Sequence, residues 1–203
     1  MTLRPVKGQG RGLIAERDIS AGELLLRVPQ RLLLTRARAL EELPEAYAAV
    51  LGSLPEYSVL AAFLALAATP GMVPETYFAP YLRALPTASG CVLEWPDLGV
   101  RELLRGSPTL PRALERRAQA DFMREELQGA LQGAGLPVPP DGAVTWALSM
   151  LLSRAVRLES LEVCGWAHAR HDSPARAASL SRPPCSCITI SITPAPRHAI
   201  FLP

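Results

Sequence analysis

Hydrophobic positions divide the chain into a front part of short strands, a long helical part and a tail of different texture. Residues 8–35 alternate brief apolar runs with turn residues, and Pro29 interrupts one run, which predicts close antiparallel strands. Residues 57–68 are apolar nearly all round and predict a buried helix. An amphipathic stripe over residues 112–134 and a mostly apolar stretch over residues 144–158 predict two further helices. The expected fold class is therefore α+β.

The helical part also carries signals for where its helices end. Gly135 is the expected C-terminal cap of the helix over residues 112–134, and Asp141 is expected to cap the helix that follows. That next helix is apolar on most sides, so its few polar members are conspicuous: Ser149, Ser153 and Arg154.

The tail begins near residue 160. Ala-Arg, Ser-Pro and Pro-Pro pairs dominate up to Pro184, which predicts a mostly irregular and loosely ordered segment. Residues 187–193 then alternate, with three isoleucines on one face, and predict one short strand. A strand needs a partner, and the sequence does not identify one.

Composition and charge narrow the functional classes. The chain has 203 residues, of which 49% are hydrophobic and 20% charged, so it can bury a core. Its formal net charge of +2 argues against a nucleic-acid-binding protein, which would show a basic patch. No apolar run reaches the roughly 20 residues that span a bilayer, and we expect no membrane association. Without a visible signal peptide, the four cysteines are expected to be free thiols and the location cytoplasmic, nuclear or both.

The first candidate for chemistry is the glycine-rich segment at residues 7–13. Glycine lets a backbone approach a ligand closely because no Cβ intervenes. The segment precedes a predicted strand, whereas a dinucleotide-binding motif follows a strand and opens a helix. Taken alone, it reads as a flexible loop or a β-turn.

In context this segment resembles the opening of a SET domain, of the branch that includes the plant Rubisco lysine methyltransferase and the actin-histidine methyltransferase. The resemblance covers roughly residues 8–158. Its front part consists of Gly10-Arg11-Gly12-Leu13-Ile14-Ala15, Asp18-Ile19, Gly22-Glu23, Leu25-Leu26-Arg27-Val28-Pro29 and Leu33-Leu34-Thr35. Later segments are Pro80-Tyr81-Leu82 with Leu85-Pro86, Leu103-Leu104-Arg105-Gly106-Ser107 with Leu110, and Trp146-Ala147 with Ser153-Arg154-Ala155.

The resemblance implies a domain organisation. Residues 1–35 would form the N-terminal β part of a partial SET domain, and residues 36–143 a large helical insertion. Residues 144–160 would form the helix that re-enters the SET fold, and residues 161–203 a divergent tail.

The same resemblance implies a cofactor and its contacts. Members of this family transfer a methyl group from S-adenosylmethionine to a protein side chain, usually a lysine amine, and one relative methylates histidine. The backbone of Gly10, Arg11, Gly12 and Leu13 would line the cofactor pocket, and Arg154 would bind the cofactor carboxylate. An arginine on a buried apolar helix needs an anionic partner, and a carboxylate can bind its guanidinium with two hydrogen bonds. The alternative is that Arg154 pairs with a protein carboxylate or extends to the surface.

The family's remaining site elements are absent from this sequence. In the family, an Asn-His pair and a later Tyr complete the cofactor and substrate site. The sequence contains no Asn, and its tyrosines all precede the helix over residues 144–158: Tyr47, Tyr57, Tyr77 and Tyr81. We therefore assign no catalytic residue and expect an inactive chain, the front of such a methyltransferase joined to an unrelated tail. The alternatives are a non-catalytic protein-binding fragment and a non-functional product of splicing or of the gene model.

The tail raises one further option, a zinc site. Its candidate ligands are Cys164, His168, His171, Cys185 and Cys187. Their spacing matches neither the tight ligand pairs of structural zinc sites nor the zinc cluster of other SET branches, so no metal is assigned. The sequence leaves the oligomeric state open.

Overall fold

The computed structural model describes residues 2–6, 10–20, 23–155, 162–164 and 187–191. The chain forms two compact units. The first consists of Met1–Leu33 with Val156–Pro203, and the second of Leu34–Ala155. The first unit contains the strands and the second contains the α-helices.

The strand unit contains two antiparallel sheets. Its strands are β1 (Thr2–Val6), β2 (Gly10–Ile14), β3 (Leu24–Pro29), β4 (Glu162–Cys164) and β5 (Cys187–Ser191). Strand β1 pairs with β2, and the second sheet has the order β3-β5-β4. Pro29 is the last residue of β3, a position at which a missing backbone donor is tolerated.

The alternating segment of the tail finds its partners in this second sheet. Strand β5 lies between β3 and β4, with Ile188 opposite Val28 on one side and Val163 on the other. The strand predicted from the alternation is therefore present. Its pairing partner β3 is separated from it by most of the chain, which is why local pattern could not name it.

The helical unit contains three long helices and four short ones of six or seven residues. They are α1 (Arg36–Glu42), α2 (Glu45–Leu51), α3 (Glu56–Ala68), α4 (Ala79–Ala84), α5 (Asp97–Leu103), α6 (Leu110–Gly133) and α7 (Asp141–Arg154). Two 3₁₀ turns, Gln30–Leu32 and Val92–Glu94, complete the elements. Thr35 caps α1 through its hydroxyl, so the apolar run at residues 32–35 is a turn and a helix start rather than a strand.

Helix α3 is the centre of the core, as its all-round apolar sequence predicted. It contacts α1, α2, α4, α6 and α7. Phe63 and Leu66 are fully buried in it, and Phe63 meets Phe78 edge to face with ring centroids 5.9 Å apart. Leu131 from α6 and Val144 from α7 enclose the same core.

The structure confirms the sequence signal for the end of α6. Gly135 follows the cap residue Ala134 at φ +68°, donating to Gln132, while the N–H of Leu136 donates to Leu131. This pair of bonds is a Schellman motif, so the glycine signal is confirmed.

Helix α7 starts and stops earlier than expected. Asp141 is its first residue and not its cap, because Pro140 holds the cap position and the Asp141 carboxylate accepts from Gln128. The helix ends at Arg154, since Ala155 has extended backbone (ψ 132°). Arg154 is therefore a terminal residue of α7.

Candidate functional site

The Arg154 guanidinium lies at the C-terminal end of α7, and no carboxylate of residues 34–155 pairs with it. Its Nη1 donates to Ser153 Oγ at 2.5 Å and lies 3.4 Å from Met150 Sδ, both on its own helix. Its Nε is buried and has no hydrogen-bond partner. Within residues 34–155, Arg154 forms no ion pair with any carboxylate. Within residues 34–155 the protein-carboxylate alternative therefore finds no partner, whereas the surface alternative stays, because Arg154 is half-buried and bonds the exposed Ser153.

Two further polar groups lie near this end of α7. The Ser149 side chain is fully buried, and its hydroxyl has no partner. Tyr81, from α4, lies close enough for the Arg154 charge to act on it; burial raises the pKa of the Tyr81 hydroxyl, and Arg154 partly opposes that rise. A buried donor with no acceptor is destabilising, so such groups commonly mark places where a ligand completes the hydrogen bonding.

Tyr81 is the site residue that sequence reasoning did not single out. Its only signal was its place within the Pro80-Tyr81-Leu82 segment. The structure brings that segment close to α7, the helix that carries Arg154. A second contact joins the same two regions, because the Nε1 of Trp146 on α7 donates to the Pro86 carbonyl at 2.9 Å. Two of the segments that carry the resemblance, residues 80–86 and 146–155, therefore lie close together in the helical unit.

The glycine segment takes a different form from the loop that it suggested in isolation. Gly10, Arg11, Gly12 and Leu13 all lie within strand β2, whose one edge pairs with β1. Gly12 is buried. Among the described residues, β2 has a strand on only one edge, the edge that pairs with β1. This strand belongs to the first unit and Arg154 to the second, and each is described within its own unit.

The remaining predictions on sites concern metals and membranes. Of the five candidate zinc ligands, Cys164 and Cys187 occupy opposite register positions on β4 and β5. His168, His171 and Cys185 lie outside the described residues. The described residues hold no cluster of three or more potential metal ligands. None of the helices in the described part is both long and apolar enough to cross a bilayer.

Comparison with solved structures identifies the fold. The SET domain of LSMT bound to lysine and AdoHcy matches with a TM-score of 0.62 and 22% identity, covering 76% of this chain and 35% of that one. Rubisco LSMT bound to AdoMet matches with a TM-score of 0.62 and 24% identity over the same shares. Rubisco LSMT bound to Sinefungin and monomethyllysine matches with a TM-score of 0.63 and 18% identity, covering 95% of this chain and 45% of that one.

These likenesses, at 18% to 24% identity, show the fold of a SET domain. This chain spans 35% to 45% of the length of the LSMT structures. No protein-family model matches the sequence, and no curated protein matches it.

Proposed function

We propose that this chain is an S-adenosylmethionine-binding member of the SET-domain methyltransferases, similar to the Rubisco lysine methyltransferase branch. The observation that carries the proposal is the Arg154 guanidinium, which has a buried Nε without a partner and no carboxylate to neutralise it within its unit. Support comes from the matched LSMT structures, which hold AdoMet, AdoHcy or Sinefungin, and in two of them lysine or monomethyllysine.

The residues present fit part of such a cofactor. Arg154 would bind its carboxylate, and a bidentate carboxylate would occupy the Nε that now lacks an acceptor. The Ser149 hydroxyl is buried and has no hydrogen-bond partner. It lies on α7, the helix that also carries Arg154. When bound, S-adenosylmethionine supplies the methyl group.

Methyl transfer is an in-line displacement, so the protein's part is to align the acceptor nitrogen and to exclude water. In the family this falls to the Asn-His segment and to the later Tyr. These 203 residues contain no Asn, and Tyr81 is the last tyrosine. We therefore propose that the chain retains a cofactor anchor while it lacks the groups that would orient a lysine or histidine nitrogen. On this view, the chain binds cofactor weakly and transfers no methyl group by itself.

The alternative function is a non-catalytic protein-binding role for the helical unit. The absence of Asn and of a later Tyr favours it over a complete enzyme, because binding needs neither. The two functions differ in whether Arg154 matters for cofactor binding.

Calorimetric titration with S-adenosylhomocysteine tests the proposal on the full chain. We expect saturable binding that weakens roughly tenfold or more in Arg154→Ala, since a charge-assisted bidentate contact is lost. Arg105→Ala is the matched control, because Arg105 is exposed and forms no ion pair among the described residues, and it should bind like the parent chain. Equal binding by both variants, or none by the parent chain, contradicts the cofactor proposal and favours the binding role.

A transfer assay tests the proposed lack of activity separately. Purified chain is incubated with methyl-labelled S-adenosylmethionine and a mixed protein lysate, and no label should enter protein. Incorporation that disappears in Arg154→Ala would show that other residues of this chain substitute for the missing elements.

A further inference from the structure

The helical unit also has a groove whose lining does not include Arg154. The groove has a volume of about 410 Å³ and runs between α3, α6 and α7. Its floor is apolar and includes Leu93, Met123 and Leu148. The volume falls in the range of specific binding pockets.

The edges of this α6 groove expose apolar side chains to solvent. Phe122 is 67% exposed and Leu152 is 42% exposed, and both line the groove. An exposed phenylalanine beside an apolar channel is typical of an interaction surface rather than of a solvated helix face. Neither residue is needed to close the core, because Leu127 and Leu148 already do so from the same helices.

The two ends of the α6 groove carry opposite charges. Arg116 and Glu126 both line it, ten residues apart on α6, which corresponds to about 15 Å along the helix axis. Arg116 donates to the neutral Gln119 at 3.2 Å, and Glu126 accepts from the Ser58 hydroxyl at 3.3 Å. Neither has an ion pair among the residues of this unit. The groove therefore holds one cation and one anion, each without a charged partner.

The Arg116 end has a second unsatisfied group. The Tyr57 hydroxyl is buried and has no hydrogen-bond partner, and the charge of Arg116 acts on it. Burial raises the pKa of this hydroxyl, so it stays a protonated donor at neutral pH. The end of the groove with Arg116 and Tyr57 therefore lacks a hydrogen-bond acceptor, and a carboxylate of a partner would supply one.

We propose that the α6 groove binds an amphipathic helix of a partner protein that carries an acidic side chain at one end of its apolar stripe and a basic side chain at the other. Apolar side chains of that helix fill the channel, its acid meets Arg116 and its base meets Glu126. A helix suits the spacing because the two charges lie nearly three turns apart, whereas a small ligand of the groove's volume would not reach both ends. This proposal is independent of methyl transfer and of cofactor binding.

Three synthetic helical peptides provide the probe. They share leucines at positions i, i+3, i+4 and i+7 and differ only in two flanking charges ten residues apart: Glu with Lys, Glu with Glu, or Lys with Lys. Binding to the full chain is measured by fluorescence anisotropy at low salt. The parent chain should prefer the Glu-with-Lys peptide by roughly threefold over each like-charged peptide, a magnitude typical of exposed ion pairs.

Charge reversal on the protein should exchange these preferences. Arg116→Glu should bind the Lys-with-Lys peptide best, and Glu126→Arg the Glu-with-Glu peptide, whichever direction the peptide lies in. Arg112→Glu and Glu125→Arg are the matched controls, since both residues are exposed on α6 outside the groove, and their preference should stay that of the parent chain. Phe122→Ser should weaken all three peptides alike, because it removes apolar contact and no charge.

Three outcomes would overturn the proposal. The first is no saturable binding of any peptide by the parent chain, and the second is a peptide preference that does not follow the charge reversals. The third is self-association of the parent chain that Phe122→Ser abolishes in sedimentation velocity, which would make a second copy of the chain the occupant.

Discussion

Arg154, the proposed cofactor anchor, should lower the free energy of unfolding of the chain when no ligand is bound. Replacing a residue that packs in the core lowers stability. Replacing a buried donor that has no acceptor raises stability, because its unsatisfied hydrogen bond is removed. The Nε of Arg154 is such a donor. Arg154→Met keeps an unbranched apolar stem and removes the guanidinium with its charge, so we expect this variant to be more stable than the parent chain in the absence of ligand.

The expected size of the gain follows from the contacts. An unsatisfied buried donor costs about 1–3 kcal/mol. Against this stands the bond from Nη1 to Ser153, which contributes little because Ser153 is exposed and water replaces the donor. The net expectation is a free energy of unfolding higher by about 1 kcal/mol, which raises the Tm by about 2–4 °C for a chain of this size.

Arg117→Met is the matched control, because it makes the same substitution at a guanidinium whose contacts are satisfied. Arg117 donates to the carbonyls of Val92 at 2.8 Å and Trp95 at 2.6 Å, and it pairs with Asp97. Its loss breaks charge-assisted bonds that attach the 3₁₀ turn Val92–Glu94 to α6, so the free energy of unfolding should fall by about 2–3 kcal/mol.

Urea denaturation followed by far-UV circular dichroism measures both variants. Adding S-adenosylhomocysteine at about 100 times its Kd should stabilise the parent chain by about 2.7 kcal/mol, whereas a variant that binds tenfold more weakly should gain only about 1.4 kcal/mol at the same concentration. If Arg154→Met proves as destabilised as Arg117→Met, Arg154 has a structural role and the reasoning from its orphaned Nε is refuted.

Three further predictions concern the fold. Gly135→Ala should lower the free energy of unfolding by about 1–2 kcal/mol because φ at Gly135 is +68°. Gly133→Ala, at a helical position in α6 where an added Cβ meets open space, should raise the free energy of unfolding by about 0.5–1 kcal/mol. Urea denaturation curves of the two variants that shift in the same direction would contradict this. Leu131→Ala should cost about 2–5 kcal/mol and Leu98→Ala less than about 0.5 kcal/mol, since Leu131 is fully buried and Leu98 is 75% exposed, and thermal melts can compare the two. Burial raises the pKa of Tyr57 and of Tyr81 above the ordinary value of 10.0, so the folded chain keeps protons that the unfolded chain loses. The stability that these two hydroxyls contribute should be fully present below about pH 10 and be lost above it, and a slope above pH 10 that is unchanged in Tyr81→Phe would exclude Tyr81 as a contributor.

Local sequence determined the long helices and one of their ends. The apolar stretch of α3 and the stripe of α6 repeat at helical spacing, and that signal depends only on residues a few positions apart. Gly135 was identifiable for the same reason, because a left-handed residue after a helix is a local requirement that glycine meets best. The sequence placed the end of α7 too far along the chain, because the apolar pattern continues past Arg154 while the backbone becomes extended at Ala155.

Only the tertiary structure decided which distant groups meet and which remain without partners. The alternating pattern of β5 is equally compatible with any neighbouring strand, and its position between β3 and β4 depends on pairing across most of the chain. Sequence could propose that Arg154 needs an anion, but only the packed helices show that no carboxylate within residues 34–155 pairs with it. The same holds for Arg116 and Glu126, which read as ordinary solvated charges along α6 until the packing of α3 and α7 places an apolar channel between them. Periodicity records how a segment presents its own faces, whereas charge pairing and register depend on what the rest of the chain brings against those faces.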